Sequence, residues 1–270
     1  ASPRSPHEGP ASDTDTRLRG AAARTAKNME ASLEIPTATS ARAVPAKVLI
    51  ENRAIINAHL ARTRGGKVSF THLIGWAVVE ALVEMPAMNV SYRLDADGRP
   101  TLRSPAHVAF GLAIDAPSSK GERRLLVPSI KEADLTDLSG FIAAYEGLVR
   151  KARAGALEVE DFAGTTVTLT NPGMIGTLHS VPRLMSGQGL IVGVGSMAYP
   201  AAFAGASEET LARQGIGKVL TLTSTYDHRV IQGAASGEFL RLVERKLLGL
   251  DGFWSRAFES LRIPLEPVEW

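Results

Sequence analysis

Residues 71–85 run Thr-His-Leu-Ile-Gly-Trp-Ala-Val-Val-Glu-Ala-Leu-Val-Glu-Met, a helical stretch that is apolar nearly all round and is closed by Pro86. A helix of this kind is buried rather than laid on a surface, so the remaining chain must supply its cover. With 270 residues, 44% hydrophobic and 21% charged, the sequence has enough material for one large domain with a sizeable core. Thirty basic residues against 28 acidic ones leave +2, too balanced for a polyanion partner such as nucleic acid.

Around that helix the hydrophobic period keeps changing. Leu18, Ala22, Thr25, Met29 and Leu33 predict a first helix that Pro36 closes, and an extended segment follows over 36–44. Pro45 suits the first position of a second helix through Val48, Leu49, Ile55, Ile56 and Leu60, ending at Gly65-Gly66. Asp97-Gly98, flanked by 90–94 and 101–103, predicts a hairpin. Strands are expected around 107–114 and 125–130, then a long helix capped by Asp134 or Thr136 and running through Phe141 and Tyr145 to Arg153. Strands follow at 165–170, 190–194 and 218–226, and a last helix spans 234–248. This order lacks regular βαβ alternation and predicts an α/β (α+β) two-layer sandwich, a mixed sheet with helices on one face.

The N-terminal residues 1–16, with Pro3, Pro6 and Pro10 and no apolar run, read as a disordered tail or linker rather than a signal peptide. The catalytic domain is expected over 17–260, and the Pro-punctuated residues 261–270 as a linker. Residues 186–207 carry no charge, but five glycines and Pro200 break them into buried strand plus loop. No membrane span is expected, and the cytoplasm is the default location.

Zero cysteines exclude disulfides, thiolate metal sites and a cysteine nucleophile. Any thiol chemistry must use substrate thiols. The six histidines are His7, His59, His72, His107, His179 and His228, and none shows metal-ligand spacing. His228 stands out because it lies where a β-rich run ends and a helix begins, in Asp227-His228-Arg229-Val230-Ile231-Gln232-Gly233. A histidine held there is either a hydrogen-bonded structural residue or a general base, since an ordinary imidazole is mostly neutral at pH 7. Thr166, Thr168 and Thr170 share one face of a strand and form either a solvated row or, at its end, a donor to an oxyanion. Gly193-Val-Gly195-Ser-Met-Ala198 fits a dinucleotide template, but no long helix follows it.

The Asp-His-Arg stretch resembles the signature Asp-His-Arg-x-x-Asp-Gly of the acyltransferase cores of 2-oxo acid dehydrogenase complexes. Four further stretches extend the likeness over about 19–250: Met29-Glu-Ala-Ser32 with Ile35-Pro-Thr-Ala-Thr-Ser40, Lys67-Val-Ser-Phe-Thr71 with Pro86-Ala-Met-Asn89, Gly111-Leu-Ala-Ile-Asp115, and Thr168-Leu-Thr-Asn-Pro-Gly173. Within the family the chain is most similar to the dihydrolipoamide succinyltransferase-like domains of fused actinobacterial 2-oxoglutarate dehydrogenase/decarboxylases. The shared features are Gln232, the run His179-Ser-Val-Pro-Arg-Leu184, and the stretch from Asp251-Gly-Phe-Trp254 to Ile263-Pro264.

The resemblance implies a chloramphenicol-acetyltransferase-like trimer with sites between subunits. Coenzyme A would approach from one side and dihydrolipoamide, supplied by a partner lipoyl domain, from the other. It implies His228 as general base, Thr170 as oxyanion donor, and Gln232 at a position where the family has aspartate, a side chain that cannot offset an imidazolium charge. Arg64, Lys67 and Asn171 are candidates for coenzyme A, and His179 and Arg183 for a succinyl carboxylate. Arg64 and Lys67 also read as solvated surface charge. Arg229 reads as a salt-bridge partner or a substrate contact. Expected partners are two further copies, a lipoyl-domain-bearing acyltransferase, dihydrolipoamide dehydrogenase and a fused domain holding thiamine diphosphate and Mg. The activities kept open are succinyl transfer, a trimeric scaffold weakened by Gln232, and acetyl transfer to a small hydroxylated acceptor.

Overall fold

Hydrophobic period and punctuation place most elements where the residues predict them. The computed structural model describes residues 13, 15–117 and 123–270. In order they form α1 (Gly20–Ser32), β1 (Thr37–Pro45), α2 (Lys47–Arg62), α3 (Phe70–Glu84), β2 (Ser91–Leu94), β3 (Pro100–Arg103), β4 (Phe110–Leu112), β5 (Ile114–Pro117), β6 (Arg123–Leu126) and β7 (Ser129–Ile130). They continue with α4 (Leu138–Ala154), α5 (Val159–Phe162), β8 (Val167–Thr170), β9 (Leu190–Val194), α6 (Glu208–Arg213), β10 (Val219–Asp227), α7 (Gly233–Leu248) and α8 (Phe253–Ser260). Of the tail expected over residues 1–16, residues 1–12 and 14 lie outside the described part. No helix among the described residues is long and apolar enough to cross a membrane.

Six strands make one mixed sheet in the order β1-β10-β9-β8-β4-β7. The pairs β4–β8 and β8–β9 are parallel and the others antiparallel. The main core lies on one face, where Val167, Leu169, Val192, Leu220 and Leu222 of the strands join residues of α2, α3, α4, α7 and α8. α3 is buried over Thr71–Val79 and again at Ala81 and Leu82, as its all-round apolarity requires. The opposite face is covered by the segment 176–188, which contributes Leu184 to a small cluster with Ile35 and Ile191. The mixed sheet with its helices on one face is therefore the observed architecture.

The glycines of the dinucleotide-like stretch serve this second face. A Cβ on Gly195 would lie 1.9 Å from the Leu178 carbonyl oxygen, and one on Gly193 would lie 2.4 Å from Thr223 Oγ1. They are small because a loop crosses them closely, and the next helix, α6, starts only at Glu208.

Several boundaries differ from expectation. Pro45 ends β1 instead of opening the second helix, which Ala46 caps. Asp137, not Asp134 or Thr136, caps α4 by accepting from the Gly140 amide at 2.8 Å. Asp134 instead accepts from the Val108 amide and pairs with His107 at 2.9 Å, an acidic partner invisible at a spacing of 27 residues. The strand expected over 107–114 breaks between β4 and β5. α8, whose Phe253, Trp254, Ala257 and Phe258 recur at helical spacing, is an addition to the expected elements, and Phe253 and Trp254 are fully buried. Residues 261–270 lie against the domain, with the Asn52 amide bonded both ways to the Val268 backbone at 2.7 and 2.8 Å.

Trp254 anchors this last element, packing against Phe253 and donating its indole N–H to the Leu247 carbonyl at 3.1 Å. Trp254→Ala is expected to lower unfolding free energy by about 3–5 kcal/mol, read as the midpoint and slope of urea denaturation.

Candidate active site

β10 ends in a turn built around one buried carboxylate. Asp227, 2% exposed, accepts the Arg229 amide at 3.1 Å and Arg229 Nε at 2.9 Å through Oδ1, and Arg229 Nη2 at 2.7 Å through Oδ2. Its own amide donates to the Gly189 carbonyl, and its carbonyl accepts from Val230 and Ile231. The Arg229 guanidinium lies 3.9 Å from the centre of the Tyr92 ring. Its hydrogen bond with Asp227 raises its pKa further. Arg229 is thus the salt-bridge partner that its position suggested, in bidentate geometry.

His228 projects from this turn. Its amide donates to the Pro36 carbonyl at 2.9 Å, and its exposed ring meets the Tyr226 ring edge-on, 5.4 Å between centres. Among the described residues no side chain or carbonyl hydrogen-bonds that ring. Gln232 is the N-cap residue of α7, exposed, and its side chain makes no capping bond. The turn is therefore held by Asp227 and Arg229, with no contribution from the Gln232 amide.

The threonine row is not a solvated face. Thr166 Oγ1 accepts from the Ala109 amide at 3.2 Å, and buried Thr168 donates to Gln188 Oε1 at 2.7 Å. Thr170, where β8 leaves the sheet, is the member whose hydroxyl has no partner among the described residues. Next to it, Asn171 Nδ2 donates to Thr71 Oγ1 of α3 at 2.8 Å. That bond uses one N–H of the Asn171 amide, which also lines the neighbouring cavity.

Register fixes the relation between the two candidates. Tyr226 opposes Leu190, which opposes Val167, whereas Thr170 opposes Gly193, which opposes Thr223. From Thr223 to Asp227 is about 13 Å of strand, and two strand spacings add about 10 Å across, so Thr170 and the His228 turn stand about 16 Å apart. The structure does not bring His228 and Thr170 together within one chain.

The other predicted residues divide between the two ends: Asn171 adjoins Thr170, whereas Arg183 precedes Leu184, which packs on Ile35 and Ile191 toward the His228 end. Arg64 and Lys67 are exposed in the connection from α2 to α3, without carboxylate partners among the described residues. A cavity of about 190 Å³ at the Thr170 end is lined by Arg53, Ser69, Thr71, Asn171 and Gly173 among others, and not by Arg64 or Lys67. Arg53 went unnoticed in the sequence because helical spacing marks it only as a polar position. It is half-buried, donates Nε to the Val68 carbonyl at 2.9 Å and lies 4.3 Å over Phe70. His179 and Arg183 are exposed on the covering segment, which Thr223 Oγ1 ties down through the Ser180 carbonyl. Met174 is 80% exposed, Ile175 78%, Leu178 62% and Val181 63%, an apolar patch along the chain that follows Thr170. At the His228 end a cavity of about 510 Å³ opens beside Ser91, Thr166 and Gln188.

Residues 10–251 match the model of the 2-oxoacid dehydrogenases acyltransferase (catalytic domain) family. The chain belongs to that family. This acyltransferase domain is 60% identical over 263 residues, 97% of its length, to the multifunctional 2-oxoglutarate metabolism enzyme of Mycobacterium sp. (strain JLS). It is 58% identical to that of Mycolicibacterium vanbaalenii. The chain spans 21% of those relatives. Among solved structures, Azotobacter vinelandii dihydrolipoamide acetyltransferase superposes with a TM-score of 0.75 at 26% identity, covering 90% of this chain and 94% of that one. The catalytic mechanism of that enzyme has been investigated at a serine, a histidine and an asparagine four residues after the histidine. A probable dihydrolipoamide acetyltransferase from Listeria monocytogenes shares the fold, with a TM-score of 0.75 at 23% identity over 96% of this chain and 100% of that one.

Arg229→Lys in this acyltransferase domain keeps the charge but loses the bidentate fork. It is expected to lower acyl transfer about tenfold with little change in melting temperature, measured by steady-state rates beside thermal unfolding.

Proposed function

We propose that the domain moves a succinyl group between dihydrolipoamide, carried on a partner lipoyl domain, and coenzyme A, at sites shared between adjacent copies of a trimer. The observation that carries this reading is the separation of His228 from Thr170. Each is a polar group without a side-chain partner among the described residues, each sits at a strand end, and they face opposite ends of the sheet. A reacting thioester must lie within about 3 Å of both the base and the oxyanion donor. One chain does not offer that geometry, and two neighbouring chains do if the His228 end of one meets the Thr170 end of the next. The exposed Met174, Ile175, Leu178 and Val181 supply apolar surface for such a contact.

The chemistry follows from the groups present. A free thiol of pKa about 8.5 is only a few per cent ionised at pH 7, so His228 takes its proton as it attacks. Charge then develops on the thioester oxygen, and the Thr170 hydroxyl donates to it. The tetrahedral adduct collapses, expelling the second thiolate, which recovers the proton from the imidazolium. No protein nucleophile is required. Arg64 and Lys67 provide cations for coenzyme A phosphates, and Arg53 lines the cavity on the same side. The relatives' activity supports a 2-oxoglutarate-derived acyl group. The reading extends, on the family resemblance alone, to work in the cytoplasm with a lipoyl-bearing acyltransferase, dihydrolipoamide dehydrogenase and a thiamine diphosphate-bearing domain of the same polypeptide.

The exposed, unbonded Gln232 and the unbonded His228 ring favour a second reading, a trimeric scaffold with weak catalysis. Gln232→Asp separates the two. Under the first reading the rate changes by less than about tenfold, because the histidine already works without a carboxylate there, while a much larger gain supports the scaffold.

His228→Ala is expected to lower transfer from succinyl-CoA to free dihydrolipoamide by about 10²–10⁴-fold, and Thr170→Ala by about 10²–10³-fold. Co-refolded in equal amounts, the two variants place both wild-type residues together at about one interface in four of a randomly assembled ring, so about a quarter of the activity returns. Mixed trimers no more active than the average of their parents would exclude the shared site.

A further inference from the structure

The start of α3 is held by an unusual cap. Ser69 Oγ accepts the His72 amide at 3.1 Å, and His72 Nδ1 accepts the Ser69 amide at 3.3 Å, a capping box in which an imidazole takes the place of a carboxylate. An Nδ1 that accepts carries no proton, so the ring proton sits on Nε2, where it points to Glu146 Oε1 at 3.1 Å. The ring is 1% exposed and meets the Tyr145 ring edge-on, 4.4 Å between centres. One residue before it, Thr71 Oγ1 accepts the Asn171 amide at 2.8 Å, and Asn171 adjoins Thr170. A continuous set of bonds therefore runs from the His72 ring through the first turn of α3 to the strand end that presents Thr170.

We infer that neutral His72 is a positioning residue for acyl transfer, fixing Thr170 through Ser69, Thr71 and Asn171. The inference rests on Thr170 being the oxyanion donor. Protonation of Nδ1 would set two donors against each other across the Ser69–His72 contact, forcing the ring or the cap to move and Thr71 with it. The charged groups around the ring are few. α4 contributes Glu146 and Tyr145, and Arg53 of α2 is turned to Val68 and Phe70. Burial lowers the His72 pKa, and the Glu146 charge and hydrogen bond oppose that shift only in part. Burial and Glu146 push the Tyr145 hydroxyl up to about 12, so it stays neutral. The cap is therefore intact at pH 7 and is lost as pH falls below the ordinary histidine range.

Protonation of His72 then inactivates the site. The acid limb of log kcat/KM for succinyl-CoA should therefore be steeper by one in the wild-type trimer than in a variant whose residue 72 does not titrate. His72→Asn places an amide oxygen near the position of Nδ1 and does not titrate. It should keep activity within about threefold at pH 7.5 and lower the limiting slope by one. His72→Leu, with no acceptor, should lose about tenfold or more in kcat with KM little changed. Should His72→Leu fail to fold, the asparagine variant still decides. The same limiting slope in the wild type and in His72→Asn would overturn the role of His72. Full activity of Thr170→Ala would instead remove the oxyanion assignment itself, and the two failures are told apart by assaying all variants in one pH series.

Discussion

Nine consecutive residue pairs join β1 to β10 and five join β10 to β9. This ladder makes β10 an interior strand covered on both faces, and the candidate site inherits its rigidity. Leu220, Leu222 and Tyr226 point into the helical layer, while Thr223 and Thr225 turn to the other face and are bonded to Ser180 and Thr39. When the ladder ends at Asp227, its amide is still held by Gly189 and the next amide by Pro36. His228 leaves the sheet from a fixed backbone, and a base on such an element keeps its aim without a hydrogen bond to its ring.

The two faces of the sheet divide the work. The helical face is almost wholly apolar and carries the stabilising burial. The other face carries hydroxyls under a close-fitting loop, and in a dry layer each must find a partner or cost free energy. Thr166, Thr168, Thr223 and Thr225 all do so. Thr170 has none among the described residues, and the same holds for the His228 ring. Accessible to solvent at opposite ends of a rigid sheet, these two groups are the ones the proposed shared site would use.

The helical layer also reaches the site from behind. α3 is locked in place by its apolar surface, and its first turn meets the end of β8 through Thr71 and Asn171. A buried helix is an effective brace because its position is set by many contacts at once. The single polar link at its start transmits that position to the strand end. On the far side, Lys246 is buried among Glu80, Glu84 and Asp251, tying α7 to α3 and to the turn before α8.

Local pattern made much of this legible. The all-round apolarity of 71–85, the Asp97-Gly98 turn and the alternation at 165–170 are nearest-neighbour signals, and the elements they predict are present. The Asp-His-Arg stretch marked the site residue at the end of β10 because strand and helix meet there in sequence. Long-range partnerships carry no local signal. His107 meets Asp134, Asn171 meets Thr71, and Asn52 holds Val268 only because packing folds distant segments together. The sequence by itself determined which residues form strands and helices and which side chains have the chemistry for acyl transfer, since propensity and hydrophobic period act over a few residues. Only the tertiary structure decided that the two candidates, His228 and Thr170, stand at opposite ends of one sheet, because strand order and register are set by the packing of the whole core and not by any stretch of the chain.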